Sequence, residues 1–294
     1  MTLMSRSSRA TFRVAIGQIA PTLGNLAANA RMHAEQIDEA RARECDLIVF
    51  PELSLTGYYL RDQVPEVAEP RDGCLVNGII ATAGDLSVAF GFVEEALGAL
   101  FYNTAGFVTD GELAYSHRKV YLPTYGMFDE RRYFAAGDRF RSVETKFGRI
   151  GFLICEDAWH LSAAVIYQAA NIDVLIMMAN SPARGVGQPD LSSATSWSLL
   201  SQTYANFLNV PVIVANRVGY EDGICFFGGS HIRDTGGELL AEAPLLEAAL
   251  ITADIDPRVS RRHRIRTPLF RDERLDLTIR ELERLRNASL NDQV

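Results

Sequence analysis

A run of apolar residues at 12–20 opens the readable part of the chain and predicts a strand, broken by the Pro21 to Gly24 stretch. From about Asn25, the residues Leu26, Ala30, Ala34, Ile37 and Ala40 recur at helical spacing and predict an amphipathic helix. A short apolar run at 46–50, stopped by Pro51, suits a buried strand, and 86–93 reads as another. Segments 104–108 and 113–117 flank Asp110-Gly111 and predict a hairpin. Further strands are expected at 149–154, 174–178, 212–216, 231–233, 238–240 and 249–253, with helices at 161–170 and 192–209. The tail from Asp256 is basic at first and helical from about Leu275. Alternating strands and helices, with hairpins between, predict an α/β fold in layers with mixed sheets. With no repeat, low-complexity stretch or linker in the way, one domain is expected.

Composition narrows the function. Of 294 residues, 48% are hydrophobic and 22% charged, as in an ordinary globular protein. The net charge of −8, without a basic stripe, argues against nucleic acid as a partner. No apolar run approaches the roughly 20 residues needed to span a bilayer, so no membrane role is expected. The polar start of the chain, with Arg6 and Arg9 among serines and threonines, lacks the apolar centre of a signal peptide. A flexible leader and a cytoplasmic, reducing location follow as expectations. Cys45, Cys74, Cys155 and Cys225 are widely spaced and form no CxxC, so free thiols are expected. The five histidines match no metal-ligand spacing, and neither a metal nor an organic cofactor is expected.

Three local patterns carry candidate chemistry. In Phe50-Pro51-Glu52, an acid follows a buried run at a strand end, where partial desolvation raises a carboxylate toward a useful base. Lys119 follows the second strand of the predicted hairpin, in His117-Arg118-Lys119-Val120. In Leu153-Ile154-Cys155-Glu156-Asp157, a cysteine closes an apolar strand and opens an acidic turn, an elbow that exposes a nucleophile and offers backbone N–H groups to an oxyanion. Each has an ordinary reading taken singly: a strand-end acid, a solvated lysine, a buried thiol. Together they supply the base, the cation and the nucleophile that amide hydrolysis needs. No histidine stands in a papain-like context.

The three segments, in this order, resemble the three signature motifs of the nitrilase (carbon–nitrogen hydrolase) superfamily over nearly the whole chain. The resemblance implies a four-layer αββα sandwich over 12–276, between a leader at 1–11 and a helical tail at 277–294. It also implies pairing of two such sandwiches in a homodimer or higher homo-oligomer. It makes Glu52 the general base, Cys155 the nucleophile and Lys119 the stabiliser of the oxyanion, with Glu130 matching a second glutamate beside them. The N–H of Glu156 would complete the oxyanion hole. Residues 122–134 and 154–159 look most like the glutaminase domain of glutamine-dependent NAD synthetases, where residues matching Tyr125, Glu156 and Trp159 line the glutamine pocket. Asn180-Ser181-Pro182 is similar to a pocket segment of that branch, which brings in Ser181. The phosphate loop of the synthetase half is not found in these residues, and 216–219 and 266–276 look like free-standing amidases.

The expected function is therefore a stand-alone, cysteine-dependent hydrolase of a small linear amide or carbamoyl compound, releasing ammonia. Arg184 is expected to pair with a substrate carboxylate through its guanidinium. The dimer is expected to form through the helices after Cys155, with Leu199, Leu200, Tyr204 and Phe207 as candidate contacts. The rivals are a glutaminase subunit feeding ammonia to a separate synthetase, and a catalytically silent interaction protein of the same fold.

Overall fold

The computed structural model describes residues 10–184 and 191–291, with side chains through 288. Most of the expected leader and the segment 185–190 beyond Arg184 lie outside the described residues. In chain order the strands are β1 (Phe12–Gln18), β2 (Leu47–Val49), β3 (Ser87–Ala96), β4 (Leu100–Thr109), β5 (Glu112–Arg118), β6 (Ser142–Thr145) and β7 (Gly148–Ile154). They continue with β8 (Val174–Ala179), β9 (Val212–Asn216), β10 (Val218–Glu221), β11 (Ile224–Phe227), β12 (His231–Arg233), β13 (Leu239–Glu242) and β14 (Ala249–Ile255). The α-helices are α1 (Leu26–Ala42), α2 (Val64–Val67), α3 (Cys74–Ala83), α4 (Leu161–Ala169), α5 (Ser192–Leu208), α6 (Pro257–Arg266), α7 (Leu269–Asp272) and α8 (Leu275–Asn291).

Two six-stranded sheets result, ordered β14-β1-β2-β3-β4-β5 and β13-β12-β9-β8-β7-β6. Each has a parallel centre, β1-β2-β3 in one and β7-β8-β9 in the other, extended by antiparallel neighbours. The parallel strands are apolar on both faces because each sheet is covered on both sides. One face of the first sheet (Val14, Ile16, Leu47, Val49, Phe107) shares a core with the second, and Phe107 meets Phe152 at 5.6 Å between ring centroids. Its other face (Ala15, Ile48, Phe50, Val88, Phe90) takes α1 and α3 through Ile37, Ala40, Val76, Ile79 and Ala83. On the far side of the second sheet, Tyr167 of α4 and Trp197, Tyr204, Ala205 and Leu208 of α5 fill the same core. The four layers are thus α, β, β, α, as expected.

Several elements differ from expectation. The buried stripe of α1 is Asn29, His33, Ile37 and Ala40, while Leu26, Ala30 and Ala34 are half-buried. Polar residues can take these places because each is bonded: the Asn29 amide donates to the Thr22 and Leu55 carbonyls, and the His33 ring meets Asn29 O and Ser54 Oγ at 2.7 and 2.9 Å. Burial pushes the His33 pKa down to about 4, which keeps the ring neutral. Helix α3, strand β6 and the β10–β11 hairpin lie where no element was expected. The basic stretch after Asp256 is helical: Pro257 occupies the first turn and the Asp256 side chain accepts from Arg258 N at 2.9 Å. Tyr204 of α5 is buried and Leu200 packs against the core, whereas Leu199 and Phe207 are exposed. Among the described residues no helix is long and apolar enough to cross a membrane, and no group of three or more His, Cys, Asp or Glu is placed to hold a metal ion.

Candidate active site

Glu52 leaves the first sheet where β2 ends, and the chain turns through Leu53 at φ +46°. This turn presses onto β3 so closely that a Cβ on Gly91 would stand 2.1 Å from Leu53 N. Only glycine admits that approach. Lys119 follows β5, and its carbonyl accepts the Gly137 N–H at 2.7 Å. Cys155 follows β7 as the first residue of a 3-10 turn, Cys155–Trp159, with a left-handed φ of +45°. A non-glycine residue there is strained and is held only by its surroundings.

The three strand ends converge. Lys119 is fully buried, and its Nζ donates to Glu52 Oε1 at 2.8 Å and to Glu130 Oε1 at 2.6 Å. Glu52 also accepts from Asn103 Nδ2 at 2.7 Å and, on Oε2, from Asn180 N at 2.8 Å. The Asn180 side chain donates back to Glu52 O at 2.8 Å. Glu130 Oε1 accepts Tyr58 Oη at 2.6 Å. Glu52, Lys119 and Glu130 are therefore one bonded unit, fixed by donors from β4, the β8 end and the loop after Glu52.

Burial works against the Lys119 ammonium, but Glu130 and Glu52 overcome it and hold its pKa well above the ordinary lysine value. Burial pushes Glu130 up to about 7 against the pull of Lys119, with the Glu52 charge adding to the rise. Burial and then Glu52 push the Cys155 thiol well above its usual range, while Lys119 and the nearby Asn180 N–H pull the other way. Burial therefore favours the neutral form of the thiol, and the Glu52 carboxylate stands close enough to act on it.

Cys155 lines a cavity of about 230 Å³ together with Tyr125, Glu156, Trp159, Ser181 and Arg184, all five residues assigned to substrate binding from the sequence. Tyr125 Oη donates to Glu156 Oε2 at 2.8 Å, and burial with this bond pushes the phenol up to about 12. Tyr125 and Trp159 are about half exposed and stand at the rim; Trp159 meets Trp197 edge to face at 5.5 Å. Ser181 is buried, and its N–H donates to Asn216 Oδ1 at 2.9 Å. The exposed Arg184 guanidinium lies 5.8 Å from the Phe128 ring centroid, and its backbone N–H donates to Ser193 Oγ at 3.1 Å.

Sequence reasoning missed Asn103, Tyr58 and the part Asn180 plays at Glu52. For Asn103 a signal existed: an amide inside the apolar run Phe101–Val108 has to be bonded to something. Phe128, Ser192, Ser193, Ser196 and Trp197 on the cavity wall were also missed. They come from a loop and from the start of α5, which nothing local ties to Cys155.

Two facing mixed sheets clad in helices, with a buried Glu-Lys-Glu unit beside a cysteine elbow, define the class of fold. The same architecture occurs in a carbon-nitrogen hydrolase from Helicobacter pylori G27, which superposes with a TM-score of 0.80 over 93% of this chain and 99% of that one, at 23% identity. The family model for carbon-nitrogen hydrolases matches residues 13–264, and the chain belongs to that family. Its relatives include the glutamine-dependent NAD(+) synthetase of Acinetobacter baylyi, 32% identical over 248 residues, covering 84% of this chain and 44% of that protein. The N-carbamoylputrescine amidase of Arabidopsis thaliana is 31% identical over 271 residues, covering 86% and 88%. The chain spans under half the length of the first NAD(+) synthetases it matches.

Proposed function

We propose that the chain is a cysteine-dependent amidase acting on a small linear amide or carbamoyl compound that carries a carboxylate, with release of ammonia. The observation that carries this reading is the bonded Glu52–Lys119–Glu130 unit beside a neutral thiol that opens into a small cavity.

For an amide, Cys155 Sγ attacks the carbonyl carbon while Glu52 takes the thiol proton. Two of the three Lys119 N–H groups are used by carboxylates, which leaves one for the developing oxyanion. The N–H of Glu156 is the second donor. Collapse breaks the C–N bond, Glu52 returns its proton to the leaving nitrogen, and ammonia departs. Water, deprotonated by Glu52, then attacks the Cys155 thioester, releasing a carboxylic acid and restoring the thiol. At the cavity mouth, Glu156 suits a substrate amine and Arg184 a substrate carboxylate.

A screen of amides, carbamoyl compounds and glutamine for ammonia release tests this reading. Cys155→Ala should fold and lose activity by several orders of magnitude, on the order of 10⁴-fold or more. Substantial turnover by the folded variant would remove the mechanism. A second reading, a glutaminase subunit that feeds ammonia to a separate synthetase, draws on the NAD(+) synthetase relatives and on the paired acidic and basic groups at the cavity mouth. Preference for glutamine, with co-purification of a synthetase, would favour it. A covalent acyl adduct on Cys155, trapped from an amide substrate and seen by mass spectrometry, separates both from a silent protein of the same fold.

A further inference from the structure

Two residues beyond the nucleophile lies a carboxylate that the proposed mechanism does not use. Asp157 is fully buried. Its Oδ1 accepts the N–H groups of Val120 and Tyr121 at 3.0 and 2.9 Å, the two residues after Lys119. Its Oδ2 accepts the N–H of Ile154 at 3.1 Å, the residue before Cys155, and meets His117 Nε2 at 2.9 Å, two residues before Lys119.

Every one of these donors belongs to the segment that carries the lysine or to the segment that carries the cysteine. Those segments come from different sheets: β5 is the edge strand of one and β7 lies inside the other. They are not paired in a β-ladder, so backbone hydrogen bonding within a sheet does not set their separation. The Cys155 backbone is left-handed, a conformation it would leave without an external hold. Asp157 does not line the cavity at Cys155. A carboxylate is the side chain suited to four converging donors, because it offers two oxygens and no proton of its own.

We infer that Asp157 is a positioning residue, a strut that fixes the Lys119 segment against the Cys155 elbow and so sets the place of the oxyanion donors relative to the nucleophile. This rests on the amidase reading above. The spacing His117-x-Lys119 and Cys155-x-Asp157 is then one device, in which each catalytic residue has its anchor two positions away.

In Asp157→Asn, one oxygen still serves Val120 and Tyr121, but an amide NH₂ faces the Ile154 N–H and cannot accept from it. The elbow loses its hold while the cavity lining stays. A misplacement of this kind costs about 100-fold in kcat, with KM held within roughly threefold. A folded variant that keeps kcat within about threefold of wild type, or that loses turnover through KM alone, overturns the inference. Circular dichroism establishes folding. If Asp157→Asn does not fold, His117→Phe, which leaves the three backbone donors in place, should lower kcat about tenfold at constant KM; unchanged kcat overturns the inference. A substrate-free reading separates this from the amidase proposal. Alkylation of Cys155 by iodoacetamide should slow about tenfold in Asp157→Asn, because the thiol is displaced from its proton acceptor. If wild type hydrolyses no amide, the amidase reading fails, and an unchanged alkylation rate would then overturn the strut as well.

Discussion

Replacing Glu130 by glutamine should separate stability from activity. In the native protein the Glu130 carboxyl is held at about 7, raised from 4.5 chiefly by burial, with the Lys119 ammonium opposing and Glu52 adding. A carboxyl whose folded pKa lies above its unfolded value favours folding while protonated, and that advantage fades as pH rises toward the folded pKa. The window here runs from about pH 4.5 to 7. At 1.36 kcal/mol per pH unit, the rise corresponds to about 3 kcal/mol of stability lost across it. Glutamine does not ionise, and its carbonyl oxygen can keep the bonds from Lys119 and Tyr58 that Glu130 Oε1 now accepts. The amide nitrogen would replace Oε2, which has no partner among the described residues and offers the new donor nothing. That costs about 1–3 kcal/mol at every pH. The unfolding free energy of Glu130→Gln relative to wild type should therefore improve by about 3 kcal/mol between pH 4 and 8. Turnover above pH 7, where Glu130 is ionised, should fall roughly 100-fold, because Lys119 there loses one of its two counter-charges. Urea unfolding at four pH values across this range, with ammonia release measured alongside, tests both halves. Stability curves that stay parallel for the two proteins would show that Glu130 does not carry a raised pKa.

Other perturbations have separable outcomes. Gly91→Ala puts a methyl group 2.1 Å from Leu53 N, so thermal unfolding should show a loss of about 1–3 kcal/mol or more, and activity should drop as the Glu52 turn shifts. Arg184→Ala should abolish the preference for a carboxylated amide over its uncharged analogue; a preference that survives the change removes Arg184 from substrate recognition. We propose a homodimer through α4 and α5, where Leu161, Val165, Ile166, Leu199 and Phe207 are exposed. Light scattering should give a dimer for wild type and a monomer for Leu199→Asp combined with Phe207→Asp, and a wild-type monomer at micromolar concentration would refute the interface.

Which parts of this molecule could be read from its sequence depends on whether the signal was local. The parallel strands were legible because burial on both faces makes them continuous apolar runs, as at 46–50 and 174–178. The Asp110-Gly111 turn announces its hairpin in the sequence, whereas Asp222-Gly223, with the same positive φ at both positions, does not. Its flanking strands, Val218–Glu221 and Ile224–Phe227, are only four residues long, and the second is apolar throughout rather than alternating. Helix α3 was obscured by Asn77 and Gly78 in its middle, although Val76, Ile79 and Ala83 keep the period. For α1, the helix and its start were legible but its facing was not, because Asn29 and His33 are buried through bonds to a turn more than twenty residues away. At the candidate site, Glu52, Lys119 and Cys155 come together because each follows a strand end, and Glu130 joins them from the 3-10 turn Glu130–Arg132 through its bond to Lys119. Their fixing partners Asn103 and Asn180 lie 51 and 128 residues from Glu52, a separation no local pattern encodes.

The antiparallel pairing of β1 with β14, from Phe12 with Ile255 to Gln18 with Ala249, bears on how the protein is made. A ribosome delivers Glu52, Lys119 and Cys155 well before it delivers the strand that closes the first sheet. The Asn180 backbone that bonds Glu52 and the Glu221 carboxylate that accepts from Tyr58 and Tyr59 also arrive late. Until then the growing chain has an elbow cysteine without an organised base, and an edge strand without its neighbour. Non-local pairing of this kind forms slowly and leaves an incomplete sheet open to aggregation. A nascent chain should therefore be catalytically mute until nearly all of this fold has emerged, and should depend on protection of the β1 edge during that interval.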